Sequence, residues 1–331
     1  MRHKWLVFLG AVSYGVLSTI VTKAYGQGYS LGQVVGSQLL TGFVLIWLLA
    51  LIVKLGERRK EKKGEASVTP GSGIMKLTWK QRLLLLAAGA PTAITGLLYY
   101  QSLHYIQNSL AIVLLFQFTW MGVLLQTIVQ KKRPHKVVLF TLVILFVGTL
   151  LAAGVFERGS GGYDWRGIVF GLLAAVSYTL FVLLSGKAIP SAHPVYRSSW
   201  MITGGMLLVF LLFPPTFLFD GTLLQGLLPY GFFLGLLGAF LPPLLFAIGV
   251  PSTGEGMAAI LGASELPVAV LLSSVVLHEH VSGIQWFGVL LVLLGVALPE
   301  LHKRWRGGQR PAKAPVSVGG SANSPDVKVL R

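Results

Sequence analysis

Ten long apolar runs divide the chain, and they restrict its fold more than any other feature of the sequence. They lie at about 5–25, 31–53, 83–105, 109–130, 137–154, 166–186, 195–219, 227–249, 256–277 and 283–301. Each is close to the roughly 20 residues that a helix needs to cross a bilayer, and spanning backbone must satisfy its hydrogen bonds internally. Only 11% of the residues are charged, whereas soluble domains carry about 25%. We therefore predict an all-α integral membrane protein with ten transmembrane helices.

The basic residues predict how the chain is oriented. A formal net charge of +16 could indicate nucleic-acid binding, but the lysines and arginines are concentrated in a few loops and a tail. With the N-terminus inside, 24 of the 27 lysines and arginines fall on the inner side, as the positive-inside rule requires. We expect both termini in the cytoplasm, a location in the inner (plasma) membrane, the lipid bilayer as a partner, and no nucleic-acid partner. The basic loop at about 54–82 and the tail at 302–331 are expected to be cytoplasmic, with the tail disordered.

A short phrase occurs twice in the sequence. AVSYGVLSTIVTKAY at 11–25 returns as AVSYTLFVLLSGKAI at 175–189, with six identical positions. The copies lie in the first and sixth predicted helices, so each half has five helices and the halves enter the membrane from opposite sides. This is the inverted-repeat plan of many transporters, and it predicts a first repeat at 1–154 and a second at 166–301. The later helices align at a separation of 147 residues instead of 164, which fits a longer loop in the first half.

Four polar side chains are predicted to reach the middle of the membrane. At about 1.5 Å per residue, Tyr14 lies roughly 14 Å into the first helix, and Tyr178 reaches a similar depth from the other side. Glu265 lies about 14 Å into the ninth helix, and Gln117 about 12 Å into the fourth. Because substrates of inverted-repeat transporters bind near the midplane, we predict a substrate site here, with helix packing as the alternative for the tyrosines. Tyr99, late in the third helix, is a further candidate.

Glu265 is the only acid that the sequence places well inside a predicted span. A neutral carboxyl is much cheaper to bury than a carboxylate, so this group could bind a proton on one side of the membrane and release it on the other. It could instead be the counter-ion of a cationic or zwitterionic substrate, or a permanently protonated acid bonded to a carbonyl near Pro267. We predict a role in substrate binding or proton coupling, since intramembrane acids are functional by default.

Two lysines of the repeated phrase mark opposite membrane faces. Lys23 falls at the outer end of the first helix and Lys187 at the inner end of the sixth. They are candidates for gates on the two sides, and snorkelling of their side chains to the interface is the alternative. Pro91 and the pair Pro242-Pro243 weaken two other helices and are candidates for hinges. Because proline is common in membrane helices, ordinary prolines without a hinge role are the alternative.

The stretch at 264–298 carries a resemblance to a known family. It reads SELPVAVLLSSVVLHEHVSGIQWFGVLLVLLGVAL. An acid and a proline near its start, Glu265 and Pro267, precede an apolar run that ends at Glu279. A late glycine, Gly295, follows in the next helix. In this pattern the chain resembles the second repeat of the EamA-type drug/metabolite transporters.

The resemblance implies a fold and an activity. Members of the family have ten helices with both ends inside, and they are secondary active transporters that often export small metabolites. Amino acids and aromatic or amphiphilic compounds fit the predicted site better than polyanions. The first half departs from the family pattern at KKRPHK, 131–136, because Lys132 stands where the family usually has an acid.

Motifs of several other function classes are missing from the sequence. It has no GxxxxGK[ST] nucleotide loop, no HExxH and no GxSxG, so we expect neither an enzyme nor a bound cofactor. His278, Glu279 and His280 do not share one helix face, and we expect no metal site there. A membrane enzyme acting on lipid-linked substrates and a non-transporting scaffold are the alternatives to a transporter of a small-molecule substrate. The sequence leaves open whether the protein forms a homodimer.

Overall fold

The structure, a computed structural model, describes residues 2–62, 77–106, 108–131, 136–152, 164–278 and 281–308, and the regular elements in these ranges are all helical. The α-helices are α1 Arg2–Gly15, α2 Leu17–Gly26, α3 Leu31–Lys62, α4 Trp79–Ser102, α5 Asn108–Leu115, α6 Phe118–Gln130, α7 Lys136–Ala152, α8 Trp165–Lys187, α9 Pro194–Leu212, α10 Leu228–Leu234, α11 Leu241–Thr253, α12 Glu255–Gly262, α13 Glu265–Val276 and α14 Gly283–Gly308. A 3₁₀ turn occupies Thr216–Leu218, and π-helical turns at Leu223–Leu227 and Gly235–Phe240 flank α10.

Seven helical segments in the described ranges are long and apolar enough to cross a membrane. They are Arg2–Gly26, Leu31–Arg59, Trp79–Ser102, Trp165–Leu184, Pro194–Leu212, Leu223–Thr253 and Met257–Val276. Shorter apolar helices occur at Phe118–Val129, Lys136–Ala152 and Gly283–Gly295. Large apolar side chains such as Ile52 and Leu211 are exposed on the outer faces, as contact with lipid requires. The prediction of an all-helical, multi-pass membrane protein is confirmed.

Two spans are broken by irregular stretches of two residues, at 116–117 between α5 and α6 and at 263–264 between α12 and α13. In the second, Pro267 has no N–H to donate to the carbonyl of Ala263, four residues earlier. The N–H of Leu266 donates to that carbonyl instead, at 3.2 Å, which tightens the chain at the break. The proline therefore fixes where α13 begins.

The two broken spans share one layout. α5 and α12 begin at Asn108 and Glu255 and end at Leu115 and Gly262, so both ends are 147 residues apart. α7 and α14 also begin 147 residues apart, at 136 and 283. The same separation aligns the later helices in the sequence.

The helices pack in a defined set of pairs. α1 lies against α11, and α4 lies against α8 and α9. α3 packs on α9 and on the second π-helical turn, α6 on α12, and α7 on α14. Close approach depends on small residues, because a Cβ at Gly89 would overlap the backbone of Met201 and one at Gly204 that of Leu86. Small residues serve helix contacts in lipid in this way.

The two serines of the repeated phrase make equivalent hydrogen bonds. Ser177 on α8 donates to the Pro91 carbonyl of α4 at 2.8 Å. Ser13 on α1 donates to the Leu237 carbonyl at 2.6 Å. Leu237 lies in the second π-helical turn, where the N–H five residues later would belong to Pro242, which has none. The Ser13 hydroxyl replaces that missing donor.

Arg197 is a basic residue that is buried inside the protein. Counted from the sequence, it is one of the inner charges, but the structure buries it in α9 with only 1% of its surface exposed. Its guanidinium donates to the Ala247 carbonyl of α11. Pro251, four residues further along α11, cannot supply an N–H to that carbonyl, so Arg197 takes the place of the backbone donor.

Two helices extend beyond the predicted spans. α3 continues to Lys62, so residues 54–62, expected in the basic loop, are helical. α14 continues to Gly308, so residues 302–308, expected in the disordered tail, are helical as well. Lysine, arginine and glutamate are good helix formers, and they let a helix continue past the apolar segment into water. Residues 309–331 lie outside the described ranges.

Candidate functional site

A cavity lies where α1, α3, α4, α8, α13 and the second π-helical turn meet. The empty space inside it, counted together with the part that is open to solvent, is about 630 Å³. The polar residues that line it are Tyr14, Gln38, Thr92, Thr95, Tyr99, Tyr100, Tyr178 and Glu265. The apolar part of the wall includes Leu17, Val35, Leu39, Leu115 and Phe181.

Tyr14 and Tyr178, the tyrosines of the repeated phrase, meet in the wall of this cavity. Their rings pack edge to face, with centroids 5.7 Å apart and planes at 88°. α1 reaches this position because Gly15 lies close to α13, where an added Cβ would be 2.8 Å from the Cβ of Val268. The small residue after Tyr14 therefore brings the tyrosine next to the helix that carries Glu265.

Further aromatic rings surround Tyr178. The ring of Phe118 is 4.4 Å away, centroid to centroid, and that of Phe181 is 5.9 Å away and nearly parallel. Phe246 contacts Tyr14 at 6.1 Å. Offset and edge-to-face ring pairs are favourable, so this cluster fixes the ring of Tyr178 in one orientation.

Glu265 is the first residue of α13 and lines the cavity. Its side chain is 8% exposed, and Oε2 is buried without a hydrogen-bond partner among the described residues. The Tyr178 hydroxyl is also buried without a hydrogen-bond partner among the described residues, and 4% of that residue is exposed. Leaving a buried polar atom unpaired costs about 1–3 kcal/mol, so two such atoms make this cavity the candidate site for a ligand.

The charge around Glu265 is one-sided. No lysine, arginine or histidine is among the described residues that line the cavity. The site thus combines one acid with aromatic walls.

Other polar groups of the cavity already have partners. The Tyr100 hydroxyl donates to Gln38 Oε1 at 3.0 Å, and the Thr95 hydroxyl donates to the Pro91 carbonyl at 2.7 Å. Tyr25, towards the end of α2, donates to the Tyr100 carbonyl at 3.4 Å. These bonds fix the α3–α4 side of the cavity.

The structure brings four of the predicted site residues together, since Tyr14, Tyr99, Tyr178 and Glu265 all line the cavity. Gln117 is not among the lining residues. It lies in the break between α5 and α6, and its Oε1 accepts a hydrogen bond from the Trp120 indole at 2.9 Å.

The other predicted positions are outside the cavity. Lys23 is exposed in the last turn of α2. Lys187 is the last residue of α8, and its side chain lies outside the described part of the chain. Of the histidine-rich triplet, Glu279 and His280 also fall outside the described residues.

One face of α4 was not predicted from the sequence. Thr92, Thr95, Gly96 and Tyr99 follow the i, i+3, i+4, i+7 spacing of a helix face, and all four line the cavity. A Cβ at Gly96 would meet no atom within 4 Å, so the glycine leaves open space on the cavity side. The small and polar residues that follow Pro91 at this spacing are the signal that could have identified the face.

Comparisons with known proteins bear on this fold and cavity. The model of the EamA-like transporter family matches residues 165–299. This part of the chain is similar to the EamA-like transporter family, and the resemblance seen in the sequence is confirmed. Tyr178 and Glu265, two residues of the cavity wall, lie in the matched part.

Two further proteins are similar to this chain. A protein of Synechocystis sp. named uncharacterized transporter sll1319 is 24% identical over 210 residues, which cover 62% of this chain and 63% of that protein. The match therefore spans less than two thirds of the relative's length. A crystal structure of a protein with 13% sequence identity covers 92% of this chain and 99% of its own, with a TM-score of 0.67, and shows the same fold.

Proposed function

We propose that the protein is a secondary active transporter that moves a small organic solute across the inner (plasma) membrane by alternating access. Two inverted five-helix repeats, 1–154 and 166–301, rock about the cavity between them. The solute is an amino acid, an aromatic metabolite or an amphiphilic metabolite. Both termini are cytoplasmic, in agreement with the positive-inside rule.

The observation that carries the proposal is the composition of the cavity wall. Tyr14 comes from the first proposed repeat, whereas Tyr178 and Glu265 come from the second. A wall built from both repeats changes shape when one moves against the other. Binding at the interface of the repeats is what alternating access requires.

The helix pairs support the inverted arrangement. If each helix of the first repeat is exchanged for its counterpart in the second, the contact of α4 with α8 becomes the contact of α11 with α1. The contact of α4 with α9 becomes that of the second π-helical turn with α3. The pairs α3–α9 and α7–α14 are each exchanged with themselves.

Glu265 is the proposed coupling group. It is the acid of the cavity, and a carboxyl can take up and release a proton as its surroundings alternate between the two sides. Export is the proposed direction, because the family that the chain resembles often exports metabolites. Lys23 and Lys187 are proposed to act at the outer and inner entrances.

A cavity-filling variant tests the proposal. Gly96→Trp places an indole in the open space beside the cavity and should block the passage of any solute. Gly56→Trp is the matched control, since Gly56 is an exposed helical glycine of α3 with no neighbour within 4 Å. Cells that overexpress the chain or either variant are profiled for metabolites retained and released, with and without a proton ionophore.

If the protein is a transporter, specific compounds should shift in their distribution, and an ionophore should abolish the shift. Of the two variants, only Gly96→Trp should remove it. Conversion of a compound into a new product would indicate an enzyme instead. An unchanged profile for the overexpressed chain would indicate a scaffold and would overturn the proposal.

A further inference from the structure

We propose that the cavity binds organic amines in their cationic form, with the ammonium group between Glu265 and Tyr178. The inference rests on the transport function proposed above and names the chemical class of its substrate. An apolar or aromatic body of the amine would occupy the rest of the cavity.

The first argument is the pair of unpartnered atoms. Among the residues that line the cavity, Glu265 Oε2 and the Tyr178 hydroxyl are the buried polar atoms for which the described structure offers no hydrogen-bond partner. Both side chains are more than nine-tenths buried. A carboxylate only accepts hydrogen bonds and a phenol can accept one, whereas an ammonium group only donates. One ammonium group therefore satisfies both atoms.

The second argument is charge. The described lining of the cavity contains an acid and no basic side chain. A substrate carboxylate or phosphate would have no opposite charge to pair with and would be repelled by Glu265, so burying it would be costly. This excess of negative charge favours a simple amine over an amino acid or an organic acid.

The third argument is the aromatic wall. A cation is attracted to the face of an aromatic ring within about 6 Å of its centroid. Tyr14 and Phe181 each have a ring centroid within 6 Å of the Tyr178 ring, at 5.7 and 5.9 Å. Three rings of the cavity lining thus lie next to one another, and one of them carries the hydroxyl that is to accept from the ammonium group.

The rest of the cavity wall is partnered or apolar. Tyr100 and Gln38 already bond each other, and the Thr95 hydroxyl bonds its own helix. Leu17, Leu39 and Leu115 supply apolar contacts. The cavity therefore suits an amphiphilic amine with one charged end.

Binding measurements with matched probes test this inference. 2-Phenylethylamine, phenylalanine and 3-phenylpropionate share a phenyl ring and a two-carbon linker but are a cation, a zwitterion and an anion. Hexylamine and hexanoate repeat the comparison without a ring. Titration calorimetry on the full chain in nanodiscs at neutral pH should show each amine binding about 10-fold or more tighter than its carboxylate partners.

Variants assign the two anchoring atoms. Glu265→Gln should weaken amine binding about 10- to 100-fold, and Tyr178→Phe about 2- to 10-fold. Tyr196→Phe is the matched control for the tyrosine, because its hydroxyl is also buried but lies outside the cavity. Glu57→Gln, on α3, controls for the loss of an acid, and neither control should alter binding.

Several results would overturn the inference. Phenylalanine or a carboxylate binding as tightly as its amine, no binding of any of the five probes, or unchanged amine binding by Glu265→Gln would each exclude amines as the substrate class. If Gly96→Trp still removes the metabolite shift in cells, the transport function stands and only the substrate class is wrong. If Gly96→Trp changes nothing in cells, the proposed function fails as well.

Discussion

Tyr14 and Tyr178 stand at the same position of two copies of one sequence phrase, and their rings meet edge to face with centroids 5.7 Å apart. The copies are 164 residues apart in the chain. The contact therefore joins the first span to α8 in the wall of the cavity. An edge-to-face pair has a preferred geometry, so it resists the relative sliding of the two helices at this depth.

A double-mutant cycle measures this contact. Tyr14→Leu and Tyr178→Leu should each lower the free energy of unfolding in detergent, and their effects should fall short of additivity by about 0.5–1.5 kcal/mol. Tyr14→Leu combined with Tyr196→Leu is the control, because Tyr196 belongs to a separate cluster on α9 and the two effects should add. Additive effects for the first pair would show that the ring contact does not stabilise the protein.

The sequence predicted the membrane fold well because its signal is chemical and strong. Runs of about 20 apolar residues leave few options for the backbone in lipid. The helix breaks were harder to place, since they depend on where a single proline removes a donor, as Pro267 does for the Ala263 carbonyl. The ends of α3 and α14 were missed because charged helix formers continue a helix beyond the bilayer.

The sequence also predicted part of the cavity wall, from the depth of residues along their helices. Depth along a helix identified Tyr14, Tyr178 and Glu265, which line the cavity. Depth alone does not give the rotation of a helix, and so it also selected Gln117, which does not line it. Gly96 was missed because a glycine shows its role only when the space around it is known.

The repeated serines should differ in their contributions to stability. Ser13→Ala leaves the Leu237 carbonyl without its side-chain donor and should cost about 1–3 kcal/mol. Ser177→Ala should cost less, about 0.5–1.5 kcal/mol, because the Pro91 carbonyl keeps the hydroxyl of Thr95 at 2.7 Å. Denaturant unfolding of both variants in micelles gives the comparison. Equal losses would mean that the π-helical turn does not leave the Leu237 carbonyl short of a donor.

Arg197 and Pro251 should be coupled through the Ala247 carbonyl. Arg197→Met removes the donor to that carbonyl and should lower the free energy of unfolding by about 1–3 kcal/mol. Adding Pro251→Ala should recover much of the loss, since the new N–H can donate to Ala247 from within α11. Thermal unfolding of the two single variants and the double variant measures the effect. A gain from Pro251→Ala that is as large with Arg197 present as without it would contradict the coupling.

His193 should make the stability of the protein depend on pH. It precedes α9, where its Nδ1 accepts the N–H of Val195 at 3.3 Å. Partial burial lowers the pKa of His193 from its usual 6.5, and the nearby charge of Glu57 opposes this shift. The native state therefore binds fewer protons than the unfolded state. The stabilisation that neutral His193 gives the native state is complete above pH 6.5, and it is lost as the pH falls through the lowered pKa.

The hydrogen bond of His193 at the start of α9 sets the size of this pH effect and suggests a control variant. Protonation of Nδ1 removes the acceptor at the start of α9, and loss of such a cap costs about 1 kcal/mol. His193→Asn keeps a side-chain acceptor that does not titrate, so its melting temperature should fall less between pH 7.5 and 5.5 than that of the unaltered chain. Differential scanning fluorimetry in detergent follows both proteins over this range, in which aspartate and glutamate of ordinary pKa stay ionised. The same fall in both proteins would show that another group is responsible.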